Sequence, residues 1–519
     1  MTSFSVSRTE VQRLEQQMLL DSQKTALERN KLGQFATPPE LALSLAQYAR
    51  EILGKQRVRF IDPAIGTGSF FSAVAQTFPS SQIESALGIE VDPLFANAAR
   101  NLWKGQNLQV LAGDFTVKHS ESAFNLVLTN PPYVRHHHLP VSEKERLQIR
   151  LAESLQMKIS GLAGLYCYFL LLCHDWMEAD GLGIWLIPSE FMDVNYGAAL
   201  REYLTERVTL LHIHRFCPTD VQFTDALVSS AVVVFRKSSP QPGQVAKFSF
   251  GGLINDPKVS AVVSLDRLRR SRKWTQYPDK VGETAPPETA LGDIFTIKRG
   301  IATGSNNFFI LTPEQIEEWQ IPSEFLKPIL PGPRFVKSDV IDALPDGTPS
   351  LSPHLFLLDC RESEENIRLK WPRFYEYLQS GHEGKVSSGY LVSRKKPWYS
   401  QEGRPAAPFL CTYMGRTRKG GSPFRFLWNR SVATAHNVYL MLYPRGPLAR
   451  ALHDDPRLYE RVFAALQQVS PSEMLAEGRV YGGGLYKVEP NELAQVSASL
   501  ILDSISHAVH FDRQERLFA

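Results

Sequence analysis

Between Thr37 and Thr129 short apolar runs alternate with helix-forming stretches, and this alternation constrains the fold more than any other feature of the chain. Thr37-Pro38-Pro39-Glu40 predicts a helix start, with proline tolerated in the first turn, leading into ELALSLAQYAREIL. VRFID (58–62) reads as a buried strand, and GSFFSAVAQTF as a helix that begins at its glycine. SALGIEV predicts a second strand, PLFANAARNLW a second helix, and LQVLAG and FNLVLT (124–129) two more strands. Strands and helices alternating at this length predict an α/β fold, a Rossmann-like parallel sheet with helices on both faces. Beyond it, LAGLYCYFLLLCHDWM predicts a buried helix and GLGIWLIP a strand. LLHIHRF and LVSSAVVVF predict a closing strand pair, so the sheet is expected to end near Arg236.

The 519 residues allow two to four domains at about 150 residues each. Residues 1–30 are polar and helix-favouring with few apolar anchors, and predict a helical extension. The sheet domain is expected over 31–240. The turn-rich stretches SSPQPGQ (238–244) and GETAPPET (282–289) mark 241–290 as a linker segment. From 291 to 519 short irregular strands with many Gly and Pro lack any βαβ rhythm and predict a separate mixed α+β domain.

Several classes are excluded. No apolar run reaches the ~18 residues of a spanning helix, and the start of the chain lacks a basic head followed by an apolar core, so neither a membrane nor a secreted protein is expected. The five cysteines are scattered without a CxxC pair, which fits reduced thiols in a cytoplasm and encodes no metal or redox site. Net charge is only +3, but Gly381–Arg430 holds ten basic residues against two acidic ones, so the remainder is net acidic. Within that stretch Arg394, Lys395, Lys396, Arg416, Arg418 and Lys419 are interleaved with Trp398 and Tyr399, a mixture suited to phosphate contacts and base stacking. A solvated basic face over a small aromatic core explains the composition equally well.

Chemistry concentrates at the ends of the strands. Asp62-Pro63-Ala64-Ile65-Gly66-Thr67-Gly68 joins a strand to a helix, where glycines let the backbone approach a ligand. Glu90 ends the next strand, where an acid can hold both ribose hydroxyls of a nucleoside, and Asp114 follows the third. Acids beside the loop repel a pyrophosphate, and Phe71 stands where GxGxxG needs its third glycine. A nucleoside without phosphates fits better, and the sulfonium and ammonium of S-adenosylmethionine suit Asp62. After the fourth strand comes Thr129-Asn130-Pro131-Pro132-Tyr133. The Asn130 side-chain oxygen and the Pro131 carbonyl can accept both hydrogens of a planar amino group, and Tyr133 can stack on its ring. His136, His137 and His138 follow; adjacent histidines cannot all face one ion, so a loop touching substrate, or no role, is expected and no metal.

The motifs GQFATPPE (33–40), DPAIGTG (62–68), GIEVDP (88–93), GDF (113–115) and NPPY (130–133), in this order, make the sequence resemble the Taq-type, gamma-class amino-methyltransferases of bacterial restriction-modification systems. The resemblance runs through IKRGIATGSNNFF (297–309), SRKKPWYS (393–400) and YGGGLYKVEP (481–490), which are similar to that family's target-recognition domain. It implies a class I S-adenosylmethionine-dependent methyltransferase that methylates adenine N6 in double-stranded DNA, with the base flipped out of the helix. It implies that Thr37, Asp62, Ala64, Gly66, Glu90, Asp114 and Pro132, with Gly68 and Asp92 of the same motifs, hold S-adenosylmethionine. Asn130, Pro131 and Tyr133 hold the amino group, with Phe223 of VQFTDALVSSAVVVF sandwiching the base. A monomer on DNA in the bacterial cytoplasm is expected, together with a cognate restriction endonuclease acting separately. NPPY also occurs in enzymes acting on cytosine N4, RNA guanine or protein glutamine. A combined nuclease-methyltransferase and a DNA-binding module without catalysis complete the alternatives.

Overall fold

A computed structural model describes residues 2–120, 123–217, 229–271, 273–278, 289–416, 422–481 and 485–505. The chain forms two compact units, the first over residues 1–284 and the second over most of 285–519.

The first unit is built on one sheet. Its strands are β1 (Val58–Asp62), β2 (Ile83–Glu90), β3 (Leu108–Ala112), β4 (Phe124–Thr129), β5 (Met177–Pro188), β6 (Thr209–Arg215), β7 (Ser230–Arg236), β8 (Val245–Gly252) and β9 (Pro257–Ser264). They lie in the order β3-β2-β1-β4-β5-β7-β6-β8-β9. From β3 to β5 every pairing is parallel, and β7 then runs antiparallel to both β5 and β6. Successive residues alternate between two cores because a strand's side chains point to opposite faces. Phe60, Leu126, Leu128, Ile184 and Leu186 enter one core, and Ile61, Val127, Trp185 and Ile187 the other. The first core is closed by α3 (Pro39–Leu53), α4 (Ser69–Thr77) and α5 (Pro93–Leu102), the second by α6 (Val141–Leu155) and α7 (Leu165–Leu172). The first unit is thus the expected Rossmann-like α/β sheet with helices on both faces, with a separate C-terminal unit. Two helices precede it, Thr2–Ser22 (α1) and Ala26–Leu32 (α2).

The sheet does not end near Arg236. Residues 241–290, expected to be a linker, supply β8, which pairs parallel to β6, and β9, antiparallel to β8. The cause is an alternation hidden between two turn-rich stretches: Ala246 and Phe248 of β8, Val263 of β9, and Leu265 and Leu268 of the helix Leu265–Arg270 are buried in the sheet's core. Burial of those side chains outweighs the turn propensity of the flanks.

The second unit has a five-stranded sheet in the order Phe295–Arg299, Tyr439–Pro444, Phe409–Thr412, Phe426–Asn429, Val340–Ile341. A four-stranded sheet contains Ile310–Leu311, Phe356–Leu358, Leu326–Leu330 and Thr434–Ala435. Helices Leu458–Gln467 and Ser499–Ile505 pack into the core of the larger sheet through Leu458, Val462, Leu466, Ile501 and Ile505. Among the described residues no helix is long and apolar enough to cross a membrane.

Candidate functional site

In an open parallel sheet the ligand crevice lies beyond the carboxyl ends of the strands, where neighbouring connections diverge to opposite sides. Here β1 is flanked by β2 and β4, and the residues just past β1, β2, β3 and β4 surround one pocket of about 370 Å³. Asp62, Ala64, Gly66, Glu90, Asp114, Asn130, Pro132 and Thr37 all line it.

Each acid is held by its strand's end. Asp62 is fully buried, and its Oδ1 accepts from the Ala64 amide at 3.0 Å and the Thr129 hydroxyl at 2.6 Å. Burial, opposed by those two donors and reinforced by Glu90, pushes its pKa up to about 7. The displacement from the ordinary carboxylate range is worth roughly 4 kcal/mol. Glu90 is also buried, with Oε2 accepting from the Gly66 amide and Oε1 from the Asp92 amide, both at 2.9 Å; burial raises its pKa against these bonds. Asp114 turns back to accept from the amide and hydroxyl of Thr116.

The NPPY segment meets a loop that precedes the sheet. Gly33 has φ +65°, and a Cβ there would lie 2.4 Å from the Tyr133 nitrogen, so glycine alone permits this approach. Its carbonyl accepts the Tyr133 amide at 3.1 Å. The Asn130 Nδ2 donates to the Phe35 carbonyl at 3.1 Å and to Thr37 Oγ1 at 3.2 Å. A backbone carbonyl can only accept, which fixes the orientation of the carboxamide. Asn130 Oδ1 is then buried with no hydrogen-bond partner, and the Pro131 carbonyl accepts no hydrogen bond among the described residues. The ready acceptor is therefore an oxygen whose burial costs free energy until a donor arrives.

Three expectations are corrected. Asp92 is outside the pocket lining: its carboxylate caps α5 through the Leu94 amide at 2.9 Å and pairs with Lys24 at 2.6 Å. Gly68, too, lies outside it; at φ +93° it starts α4 where a Cβ would lie 2.3 Å from Trp103 Nε1, whose N–H donates to the Thr67 carbonyl. Pro131 is buried behind the lining residues Asn130 and Pro132, and the expectation for it concerns its backbone carbonyl, which these contacts leave unchanged. Tyr133 is a core residue, 6% exposed, packed 5.5 Å from the Phe35 ring with its hydroxyl donating to the Leu186 carbonyl, so of this pair Phe35 and not Tyr133 lines the pocket. Phe223 lies outside the described residues.

Sequence reasoning missed the contribution of the N-terminal helices. Gln17 and Asp21 of α1 and Lys31 of α2 line the pocket. Arg13, fully buried, pairs with Glu10 and donates to Thr67 Oγ1 at 3.1 Å, and that hydroxyl donates to Gln17 Oε1 at 2.8 Å. Lys24 reaches both Asp92 and Gln34. The signal was the scarcity of apolar anchors in this segment, which docks through polar side chains. His138 and Glu143 also line the pocket. Five carboxylates and one lysine line the pocket altogether, a donor set that favours a cation and disfavours phosphates.

In the second unit the basic segment divides by the partners its charges already have. Lys395 is half-buried and donates to the Thr303 carbonyl and Gln401, with its pKa lowered by burial. Tyr399 is buried and donates to the Glu362 carbonyl, and Trp398 packs on Phe308 while its N–H donates to Glu364. These three, expected on the DNA surface, are structural because their polar atoms and rings are spent within the fold. Arg394 and Lys396 are exposed, and the Arg394 guanidinium lies 3.9 Å from the centre of the exposed Tyr390 ring. Arg416 is exposed on the strand Met414–Arg416, and Arg418 and Lys419 lie outside the described residues.

Comparison with known proteins gives the following likenesses. Residues 75–222 match the family described as Eco57I restriction-modification methylase, and residues 283–518 match the family described as the C-terminal domain of the type II methyltransferase M.Eco57I. The type II methyltransferase M.AccI of Acinetobacter calcoaceticus is 25% identical over 90% of this chain and 85% of its own length. The type II methyltransferase M.XamI of Xanthomonas campestris pv. amaranthicola is 26% identical over 84% and 80%. The solved structure of the type IIL restriction-modification enzyme MmeI in complex with DNA shares the fold with a TM-score of 0.59, at 13% identity, over 94% of this chain and 78% of that one.

Proposed function

We propose that this chain is a type II restriction-modification DNA methyltransferase that transfers a methyl group from S-adenosylmethionine to the N6 amino group of an adenine flipped out of duplex DNA. The observation that carries the reading is the buried, unpartnered Asn130 Oδ1 at the wall of an acid-lined pocket. The donor supplies an electrophilic methyl on a sulfonium. Asp62, with Oδ2 free of the donors that hold Oδ1, suits its ammonium group; Glu90, fixed by two amides, suits ribose hydroxyls; Asp114 suits the base amino group. Asn130 Oδ1 and the Pro131 carbonyl accept the two N6 hydrogens. By holding both, they draw the nitrogen lone pair out of conjugation with the ring and aim it at the methyl carbon, where the N–C bond forms as the S–C bond breaks and the neutral thioether S-adenosylhomocysteine leaves. No strong base is needed, because the nitrogen's protons become acidic as the new bond forms and one leaves to solvent. Alignment and preorganised dipoles supply the acceleration.

Phe35 lining the pocket beside Asn130 supports a stacking surface for the extruded base, whose extrusion costs a few kcal/mol. The second unit is assigned target recognition, and cleavage to a separate endonuclease. The test is nucleoside analysis of unmodified bacterial genomic DNA after incubation with the enzyme and methyl-labelled donor. N6-methyladenine is the expected product; label on cytosine N4, RNA or polypeptide and none on adenine overturns the reading.

The DNA surface makes its own prediction. Arg394→Ala with Lys396→Ala weakens DNA binding and lowers the slope of log affinity against log salt by about 2, since each phosphate contact contributes about 0.9. Lys395→Met instead lowers the unfolding temperature, as its ammonium is spent on Thr303 and Gln401. Anisotropy titrations across a salt series and thermal melts read the two effects.

A further inference from the structure

Resting on the adenine reading above, we infer that Thr37 is a positioning residue for Asn130 and not a cofactor ligand: together with the Phe35 carbonyl it locks the carboxamide with its oxygen facing the target nitrogen.

A primary carboxamide is nearly symmetric in shape, and only hydrogen bonding decides which of its ends faces a ligand. If Asn130 turned over, its NH2 would face the substrate NH2, donor against donor, and transfer would stop. The Phe35 carbonyl at 3.1 Å, which can only accept, forbids this on the Nδ2 side, and Thr37 Oγ1 at 3.2 Å accepts the second Nδ2 hydrogen and holds the carboxamide against that carbonyl. In the reversed orientation Oδ1 would face the Phe35 carbonyl, two acceptors with no proton between them. Thr37 is buried at 8% exposure, and its hydroxyl makes no other hydrogen bond among the described residues. The loop that carries both acceptors is itself tied down. Gly33 lies against the Tyr133 backbone, and the Thr37 carbonyl accepts from the Ser69 hydroxyl at 3.1 Å, at the first residue of α4. The loop before the sheet and the loop after β4 therefore form one device, whose output is the direction of a single oxygen.

The test uses the full-length enzyme, saturating S-adenosylmethionine and unmodified bacterial genomic DNA in single-turnover assays, with donor affinity measured by calorimetry. Thr37→Val keeps the volume and removes the acceptor; it lowers the saturated transfer rate roughly 10- to 100-fold, the scale of a misaligned reacting group, with donor affinity essentially unchanged. Thr37→Ser restores most of the rate. Thr37→Ala repeats the loss without adding bulk, and decides the matter if the valine variant does not fold. Donor affinity falling tenfold with the saturated rate intact would make Thr37 a cofactor contact and overturn the inference, as would an unchanged rate in both variants. A wild-type enzyme that labels some nitrogen other than adenine N6 refutes the functional reading instead, a result distinct from either.

Discussion

Asn130→Ala is expected to abolish methyl transfer while the protein still binds S-adenosylmethionine. The side chain donates only to Phe35 and Thr37 among the described residues, and its oxygen has no partner, so its removal leaves the carboxylates that line the pocket untouched. Loss of a preorganised group that acts on developing charge costs about 10²–10³-fold in rate. Losing one of only two acceptors on the same nitrogen places the variant at or beyond that range. Single-turnover label transfer and calorimetry separate the two readouts. Simultaneous loss of binding would show that Asn130 holds the loop at Gly33–Thr37 in place and that its role is structural.

Asp62→Asn is expected to cost roughly 10- to 100-fold in donor affinity, the about 1.5–3 kcal/mol of a charge-assisted hydrogen bond. The wild type carries a pH signature that the variant loses. Without donor, Asp62 titrates at about 7, so its carboxyl is protonated below that pH and must ionise to meet a cation. Donor affinity therefore rises as pH increases toward 7 and levels off above it. Below 7, binding releases about one proton from Asp62, with Glu90, held above its ordinary range by burial, adding to the release at the acid end. Calorimetry in two buffers of different ionisation enthalpy reads this directly. The stability of the donor-free protein runs the other way. A carboxyl whose folded pKa is raised contributes stability at pH values below its unfolded pKa, near 4, and loses that contribution as pH rises through about 7. Affinity independent of pH between 5.5 and 8 would remove Asp62 from the donor site.

Much of the first unit was legible because local and global signals agree there. VRFID and FNLVLT occupy the predicted positions residue for residue, since short segments rich in β-branched, aromatic and leucine side chains between turn signals read as buried strands despite Arg59 and Asn125. The lining roles of Asp62, Glu90, Asp114 and Asn130 followed from their place at strand ends, which topology alone makes into a crevice. The edge strands β8 and β9 were missed because their alternation is short and lies between turn-rich stretches. In the second unit, composition could not tell a charge spent on a carbonyl, such as Lys395, from one facing solvent, such as Arg394.

The order of strands and helices, the acids at the strand ends and the NPPY turn were written in the sequence, because periodicity and turn chemistry act over a few residues. Which atoms of those residues remain free was decided by tertiary packing. Asp92 became a cap, Gly68 a seat for Trp103 and Tyr133 a core ring, while the loop at Gly33–Thr37 and the helix bearing Gln17 entered the site. A hydrogen bond between residues as distant as Thr37 and Asn130 has no local signature; it exists only once the fold has brought two loops within about 3 Å of each other.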